Sequence, residues 1–521
     1  MTQLTPAEVT HLNMNEGFVS RAPTARGRQG SRVAPRNLSC WVYETQHIET
    51  APTLIINVIN VGAVFKFLYV QKFMQRTLIK DLRGHVEQEV LIQGQINVVR
   101  NQGKVAFFDF RDRTSIIQGV IFGKPEVLEA AKDLKQECAV EVTGIVHTRP
   151  EKMVNGKVEN GDIELEITSV TALGIAEALP FDMDADFNLD TLLDYRPITL
   201  RRPRERAIFK IQHTIVTAYR AYLVSQGFTE FQAPKLVGGD AEGGAEVFKV
   251  DYFNDQKAYL ATSPQLYKQI MVGVFERVFT TGNMFRAEKS ATTRHLSEIS
   301  MMDLEMGFIK DHTDVIAMVT SLMRAVTEAV ARDCAKELEL LGVPVPLAPE
   351  AFPVMTLREA QALILKETGV DKTKEPDLEP EDERFLCEYA NKNLGSDFVF
   401  VTHFPTKKRP FYTHVDPENP EFTRSFDLLF RGLEMCSGGQ RVHDYETLKK
   451  RIREKGLDPE KFNFYLQAFK HGIPPHGGIG LGLERLTAKF SGVANVKEAT
   501  LFPRDINRID TLLTKPEENE G

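Results

Sequence analysis

The chain has 521 residues, 42% of them apolar and 26% charged, which are the proportions of folded globular domains and exclude a disordered or collagen-like chain. Lys and Arg total 64 against 72 Asp and Glu, so the net charge of −8 excludes wholesale coating of nucleic acid, and any RNA partner has to be held by local patches. The five cysteines (Cys40, Cys138, Cys334, Cys387, Cys436) are odd in number, scattered and without a C-x-x-C pair, which argues against a disulfide framework or a zinc cage and for a reducing compartment.

Residues 1–73 differ from all that follows. The first fifty carry no helical or strand period, and Thr53–Val70 is apolar and about the length of a membrane span. Asn57, Asn60 and Lys66 within it are costly in lipid, so no membrane anchor is expected. Ordinary soluble patterning starts at Met74, and residues 1–73 are read as an extension, disordered or not native, with Met74 as the functional start.

Residues 74–175 contain five strand-like runs (EVLIQGQINVV, KVAFFDF, SIIQGVIF, CAVEVTGIV, IELEITSVTAL), with a helical stretch Pro125–Glu137 between the third and fourth. That order is the OB barrel, an oligonucleotide-binding fold. Alternation sets Phe107 apart from Phe108 and Phe110, and pattern alone leaves open which face is core and which is a base-stacking platform. Residues 176–200 read as a linker, and 201–521 as a larger domain. In that domain, apolar residues Ile208, Ile211, Ile215, Tyr219 and Tyr222 predict a helix from Pro203 to Gly227. FTEFQAPKL follows, where Pro234 marks an edge or interface, so this region suits a dimer contact. Two strands around a polar loop from Lys289 to Leu296 come next. Near the carboxyl end a glycine-rich strand enters a helix that carries Arg485.

Arg286, Arg294 and Arg485, drawn from strand, loop and helix, describe an anion site, because the guanidinium fork matches phosphate oxygens. Gly478, Gly480 and Gly482 would let a flat ligand approach the backbone, although their spacing is neither a Walker loop nor a dinucleotide fingerprint. Asp427, Glu434 and Ser437, with Arg441 close behind, form an oxygen set that suits Mg²⁺ beside nucleotide phosphates.

From Gln75 to Arg508 the chain resembles a class II aminoacyl-tRNA synthetase, and within that class the aspartyl enzymes of archaeal and eukaryotic type. Pro234 stands at the motif 1 proline, Arg286-Ala287-Glu288 with Thr293–Leu296 is similar to motif 2, and GGIGLGLER ending at Arg485 is similar to motif 3. The resemblance implies an α+β fold: a class II antiparallel sheet flanked by helices, preceded by an all-β OB barrel. It implies ATP as substrate, with Arg286 on the α-phosphate, Arg294, His295 and Arg485 at the γ end, and Glu288 by the adenine. Mg²⁺ would meet Asp427, Glu434 and Ser437. Glu242, Gln265, Asp303 and Ser437 would line the amino-acid pocket, where Lys268 and Arg441 clamp the side-chain carboxylate of L-aspartate. Phe107 and Gln118 would meet the anticodon. The implied activity is ligation of L-aspartate to tRNA(Asp) through an aspartyl-adenylate by a cytoplasmic homodimer, with charging of tRNA(Asn) left open. Two rivals remain, an asparaginyl enzyme and a noncatalytic OB-containing tRNA-binding protein. The chain departs from the family pattern at Thr262, Ile299 and Gln95.

Overall fold

The computed structural model describes residues 74–156, 158–239, 246–290 and 292–509, together with the backbone of two strands, Leu54–Asn60 and Phe65–Lys72. These two pair antiparallel, Leu54 opposite Lys72 and Asn60 opposite Phe65. Most of the apolar stretch is thus extended strand, as its density of β-branched residues favours. Among the described residues no helix is long and apolar enough to cross a membrane.

The chain divides into two compact units, Met1–Pro180 and Phe181–Gly521. In the first, strands Glu89–Asn101, Val105–Arg111, Ile116–Phe122, Ala139–Thr148 and Ile163–Gly174 close into a barrel in the order first, second, third, fifth, fourth. All pairs are antiparallel except the third with the fifth. Alternation resolves the phenylalanine question: Phe108 and Phe110 stack at 5.8 Å inside the core, while Phe107 is half-buried on the outer face. The helix is shorter than its pattern suggests, Pro125–Ala131, because the chain then turns to drop Leu134 into the core. The turn ends at Glu137, whose φ of 71° presents its carboxylate to both arms of the Arg111 fork at 2.6 Å.

The second unit is built on an eight-stranded sheet in the order Val354–Thr356, Phe398–Thr402, Ser425–Phe430, Leu433–Gln440, His476–Gly482, Glu298–Gly307, Arg277–Phe285, Thr229–Glu230. Only the outermost pair at each end is parallel. Helix Pro203–Ser225 runs as its periodicity predicts and stops where Gly227 adopts φ 79°. FTEFQAPKL forms just two short strands, Thr229–Glu230 and Leu236–Val237, interrupted around Pro234, which cannot donate to a ladder. Helices Pro203–Ser225 and His312–Asp333 cover one face of the sheet, packing Ile215, Tyr219, Val319 and Leu322 on Met302, Leu304, Phe426 and Ile479. Strand alternation then sends Met301, Asp303 and Glu305 to the other face, and this single periodicity places the site. Within the stretch read as a linker, Arg196 is buried and donates to the carbonyls of Glu498, Thr500 and Leu501, tying it to the second unit's carboxyl end.

Candidate active site

A cavity of about 420 Å³ lies over that polar face. Of the residues singled out from the sequence, Arg286, Glu288, Arg294, His295, Gln265, Asp303, Glu434, Ser437, Arg441 and Arg485 line it. Lys268 and Asp427 sit behind its wall, both buried. Glu242 lies outside the described residues, and Phe107 and Gln118 belong to the barrel.

The three arginines are held differently. Arg286 follows strand Arg277–Phe285, and its amide donates to the Ser297 carbonyl at 2.8 Å, closing the loop that returns to strand Glu298–Gly307. Its guanidinium forms no hydrogen bond or ion pair among the described residues, so an uncompensated cation faces the cavity. Arg294 donates from Nη1 to Glu383 Oε2 at 3.0 Å. Arg485, in the first turn of helix Leu483–Ser491, donates to the Glu434 carbonyl at 3.2 Å. His295 pairs with Thr292 Oγ1 at 2.6 Å.

Beneath the cavity lies a buried network of four charges. Lys268 Nζ donates to Asp303 Oδ2 at 2.7 Å and to the Ile479 carbonyl at 2.8 Å, and stands 3.5 Å from Glu305 Oε2. Arg441 donates from Nε to Glu305 Oε1 at 2.9 Å and from Nη2 to the Gly478 carbonyl at 2.9 Å. Lys268 and Arg441 therefore converge, with Glu305 between them, and Arg441 is the one that reaches the cavity. Burial raises the Asp303 carboxyl above its ordinary range even with Lys268 beside it. Burial acts the same way on Glu305, but Arg441 and then Lys268 outweigh it and hold that group below its usual range. Glu305 was absent from the sequence reading, yet its signal is plain: it lies two residues beyond Asp303 on the same strand face.

The same network revises the reading of the glycines. Gly478 and Gly480 pair across the sheet with Glu305 and Asp303. A Cβ at Gly478 would collide with the Leu304 carbonyl and the Glu305 carboxylate, so this glycine makes room for a buried acid, while a Cβ at Gly482 would only touch the Arg485 side chain at 3.7 Å.

The hairpin Ser425–Phe430 and Leu433–Gln440 sets Asp427 opposite Ser437. Ser437 Oγ donates to Glu434 Oε1 at 2.9 Å. Arg409, another residue the sequence reading missed, donates to Asp427 Oδ2 at 2.6 Å and lies 4.0 Å from the centre of the Phe404 ring. Among the described residues Asp427 Oδ1 is buried with no hydrogen-bond partner, and burial pushes the carboxyl up to about 6. A carboxylate and a hydroxyl at the cavity wall, with an unsatisfied carboxylate oxygen behind them, fit a hard cation that keeps several waters.

Gln265 is positioned by a chain of amides that sequence reasoning also missed. Its Nε2 donates to Gln269 Oε1 at 3.1 Å, which also accepts from Tyr465 Oη at 3.1 Å. Gln269 Nε2 donates in turn to His476 Nε2 at 2.9 Å, and His476 Nδ1 donates to the Pro474 carbonyl at 2.9 Å. This arrangement requires a neutral imidazole, and burial lowers the His476 pKa from 6.5 to about 4. His312 is likewise lowered to about 4, by burial and then by neighbouring His403. A depressed pKa means the unfolded chain takes up the proton first, so the stabilisation is complete above pH 6.5 and is lost as pH falls towards 4. Denaturant melts at pH 7 and pH 5 should differ by about 2 kcal/mol per histidine, and His476→Gln should remove part of that difference; identical slopes in wild type and variant would contradict this.

The sheet, the arginine-lined cavity and the separate OB barrel define a nucleotide-using enzyme of the class II synthetase kind. The chain belongs to the family described as tRNA synthetases class II (D, K and N), which it matches over residues 188–506, and residues 90–173 match the OB-fold nucleic acid binding domain. It is 44% identical over 445 residues to the aspartate–tRNA(Asp/Asn) ligase of Deinococcus radiodurans, covering 84% of this chain and 99% of the relative. It is 39% identical over 441 residues to the aspartate–tRNA(Asp) ligase of Thermoplasma acidophilum, covering 84% and 100%. Among solved structures, asparaginyl-tRNA synthetase from Pyrococcus horikoshii complexed with asparaginyl-adenylate superposes with a TM-score of 0.77 at 31% identity, covering 84% of this chain and all of that one. Aspartyl tRNA synthetase from Entamoeba histolytica gives 0.75 at 30%, covering 84% and 93%.

Proposed function

We propose that this chain ligates L-aspartate to tRNA in two steps, of which the first consumes ATP, within the cavity of the second unit. The observation that carries the reading is the cavity's cationic lining, with Arg286 unpaired among the described residues and Arg441 presented from a charge-matched floor. The aspartate α-carboxylate attacks the α-phosphorus of ATP in line, and pyrophosphate leaves. Arg286 stabilises the charge growing on the α-phosphate, while Arg294, His295 and Arg485 hold the γ end and Glu288 the adenine side. Glu434 and Ser437 would hold Mg²⁺, backed by Asp427; when bound, the ion neutralises phosphate charge. Glu242 receives the substrate's amino group, and Gln265 and Asp303 line the same pocket.

The side-chain carboxylate meets Arg441, with Lys268 fixing Asp303 and Glu305 in place. An unpaired carboxylate buried there would cost several kcal/mol, so it has to meet a cation, and Arg441 supplies one. The 3′-hydroxyl of the terminal adenosine of tRNA then attacks the aspartyl-adenylate. No side chain stands out as general base, so positioning and electrostatics carry the rate. ATP–pyrophosphate exchange on the purified protein with aspartate or asparagine tests the amino acid: exchange driven by asparagine alone would overturn the reading. Charging of tRNA(Asp) and tRNA(Asn) transcripts then decides the second substrate, since both kinds of relative carry matching names.

The anticodon is assigned to the barrel's outer face, where Phe107 is half-buried and Gln118 accepts from Arg149. Phe107→Ala should weaken tRNA binding by about 1–3 kcal/mol, the usual cost of losing one stacked base. Aspartate-dependent exchange, which needs no tRNA, should be unchanged; a parallel loss of exchange would point to misfolding instead. The homodimer assignment rests on exposed apolar side chains around motif 1, among them Val224, Leu236 and Phe248, and sedimentation at micromolar concentration tests it. The protein is assigned to the cytoplasm.

A further inference from the structure

We propose that Glu383 is the anchor that aims Arg294 at the terminal phosphate of ATP; the inference rests on the reading of Arg294 given above and goes one residue beyond it. Glu383 lies in helix Pro380–Leu394, remote in sequence from every motif, and is 9% exposed. That helix is a rigid seat: a capping box between Glu379 and Asp382 closes its first turn, and Leu386, Cys387 and Ala390 pack on Val399 and Val401 of the sheet. From it, Glu383 Oε2 accepts Arg294 Nη1 at 3.0 Å and also stands 3.4 Å from the amide nitrogen of Glu434. One carboxylate oxygen thus connects the loop arginine to the residue assigned to the metal.

The pairing uses a single nitrogen of the guanidinium. Nε and Nη2 of Arg294 make no hydrogen bond among the described residues, and the residue lines the cavity. A guanidinium gripped at one corner keeps the rest of its fork for a phosphate, so Glu383 orients Arg294 without consuming it. The loop that carries Arg294 supplies little support of its own, since Thr292 Oγ1 accepts from the Arg294 amide and pairs with His295 Nδ1 rather than with the guanidinium. Without Glu383 a long, flexible side chain would have to be ordered by ATP itself, at a cost in affinity. Glu383 touches no substrate and is therefore a positioning residue.

The test compares nucleotides that differ in the group Arg294 is read to hold. Affinities of wild type, Glu383→Gln and Glu383→Ala for ATP and for AMP are measured by calorimetry, alongside exchange kinetics. Glu383→Ala should weaken ATP binding about tenfold, the weight of one charge-assisted hydrogen bond, with AMP affinity unchanged. KM for ATP should rise more than kcat falls, and Glu383→Gln, which keeps the shape and one hydrogen bond, should lie between. Equal losses for ATP and AMP, or no loss for either, would overturn the inference, and the Gln variant keeps the test alive if the Ala variant unfolds. Arg294→Ala, run in parallel, separates the two levels: if it leaves ATP affinity intact, the phosphate assignment itself is wrong and the anchor falls with it. If it weakens ATP and Glu383→Ala does not, only the anchor is wrong.

Discussion

Arg286→Ala should abolish aspartate-dependent ATP–pyrophosphate exchange while leaving the protein folded. The loss expected is about 3 kcal/mol or more in transition-state binding, a rate reduction of two orders of magnitude or greater. Two features of the structure make the prediction sharp. The guanidinium lines the cavity and makes no hydrogen bond or ion pair among the described residues, so its removal orphans no buried carboxylate. The loop closure at this point is made by the main chain, from the Arg286 amide to the Ser297 carbonyl, and alanine retains it. Stability should therefore change by no more than about 0.5 kcal/mol. Near-normal exchange in a folded variant would remove the assignment of the phosphate site.

Lys268→Ala should behave in the opposite way, as a stability variant first and an activity variant second. Lys268 is fully buried and supplies hydrogen bonds to Asp303 and to the Ile479 carbonyl, with Glu305 alongside. Removing one partner of a buried ion pair strands the other, at about 3–5 kcal/mol. Asp303 is already raised by burial with Lys268 present, and without it should rise further. The expected result is a large drop in denaturation midpoint together with loss of exchange. A double variant, Lys268→Met with Asp303→Asn, removes one charge of each sign and leaves Arg441 matched to Glu305. It should recover much of the stability and none of the activity. A Lys268→Ala protein as stable as wild type would refute the buried network. The substitution is accordingly a poor probe of aspartate against asparagine, and comparing the two amino acids on the wild-type protein is the better one.

The fold and the outline of the site were legible in the sequence for identifiable reasons. Strand period two marked the five barrel strands and put Phe107 apart from Phe108 and Phe110. Helical period and Gly227 set the limits of helix Pro203–Ser225. Strongly local patterns, around Arg286, Glu434 and Arg485, marked residues that the structure brings to one cavity, because each sits in a short segment whose composition is itself unusual. Glu305, Arg409, Gln269, His476 and Glu383 were not found, although the first shares a strand face with Asp303 and alternation alone could have located it. The others look like ordinary helix, strand or loop residues until their partners are known. The reading of Gly478 as room for a ligand erred for the same reason, since the acid it accommodates comes from a neighbouring strand.

By itself, the sequence determined the five barrel strands, the helix from Pro203 and which charged groups were available to the site, because period, turn chemistry and residue type are local properties. Only the tertiary structure decided how those charges are matched. Arg441 and Glu305 are 136 residues apart in the chain and 2.9 Å apart in space; Lys268 is closed off by Asp303, and Arg286 is left without a partner among the described residues. Whether a buried charge is a structural pillar or a free catalytic group depends on the partner within hydrogen-bonding distance and on exclusion of water, and both are set by the packing of distant strands.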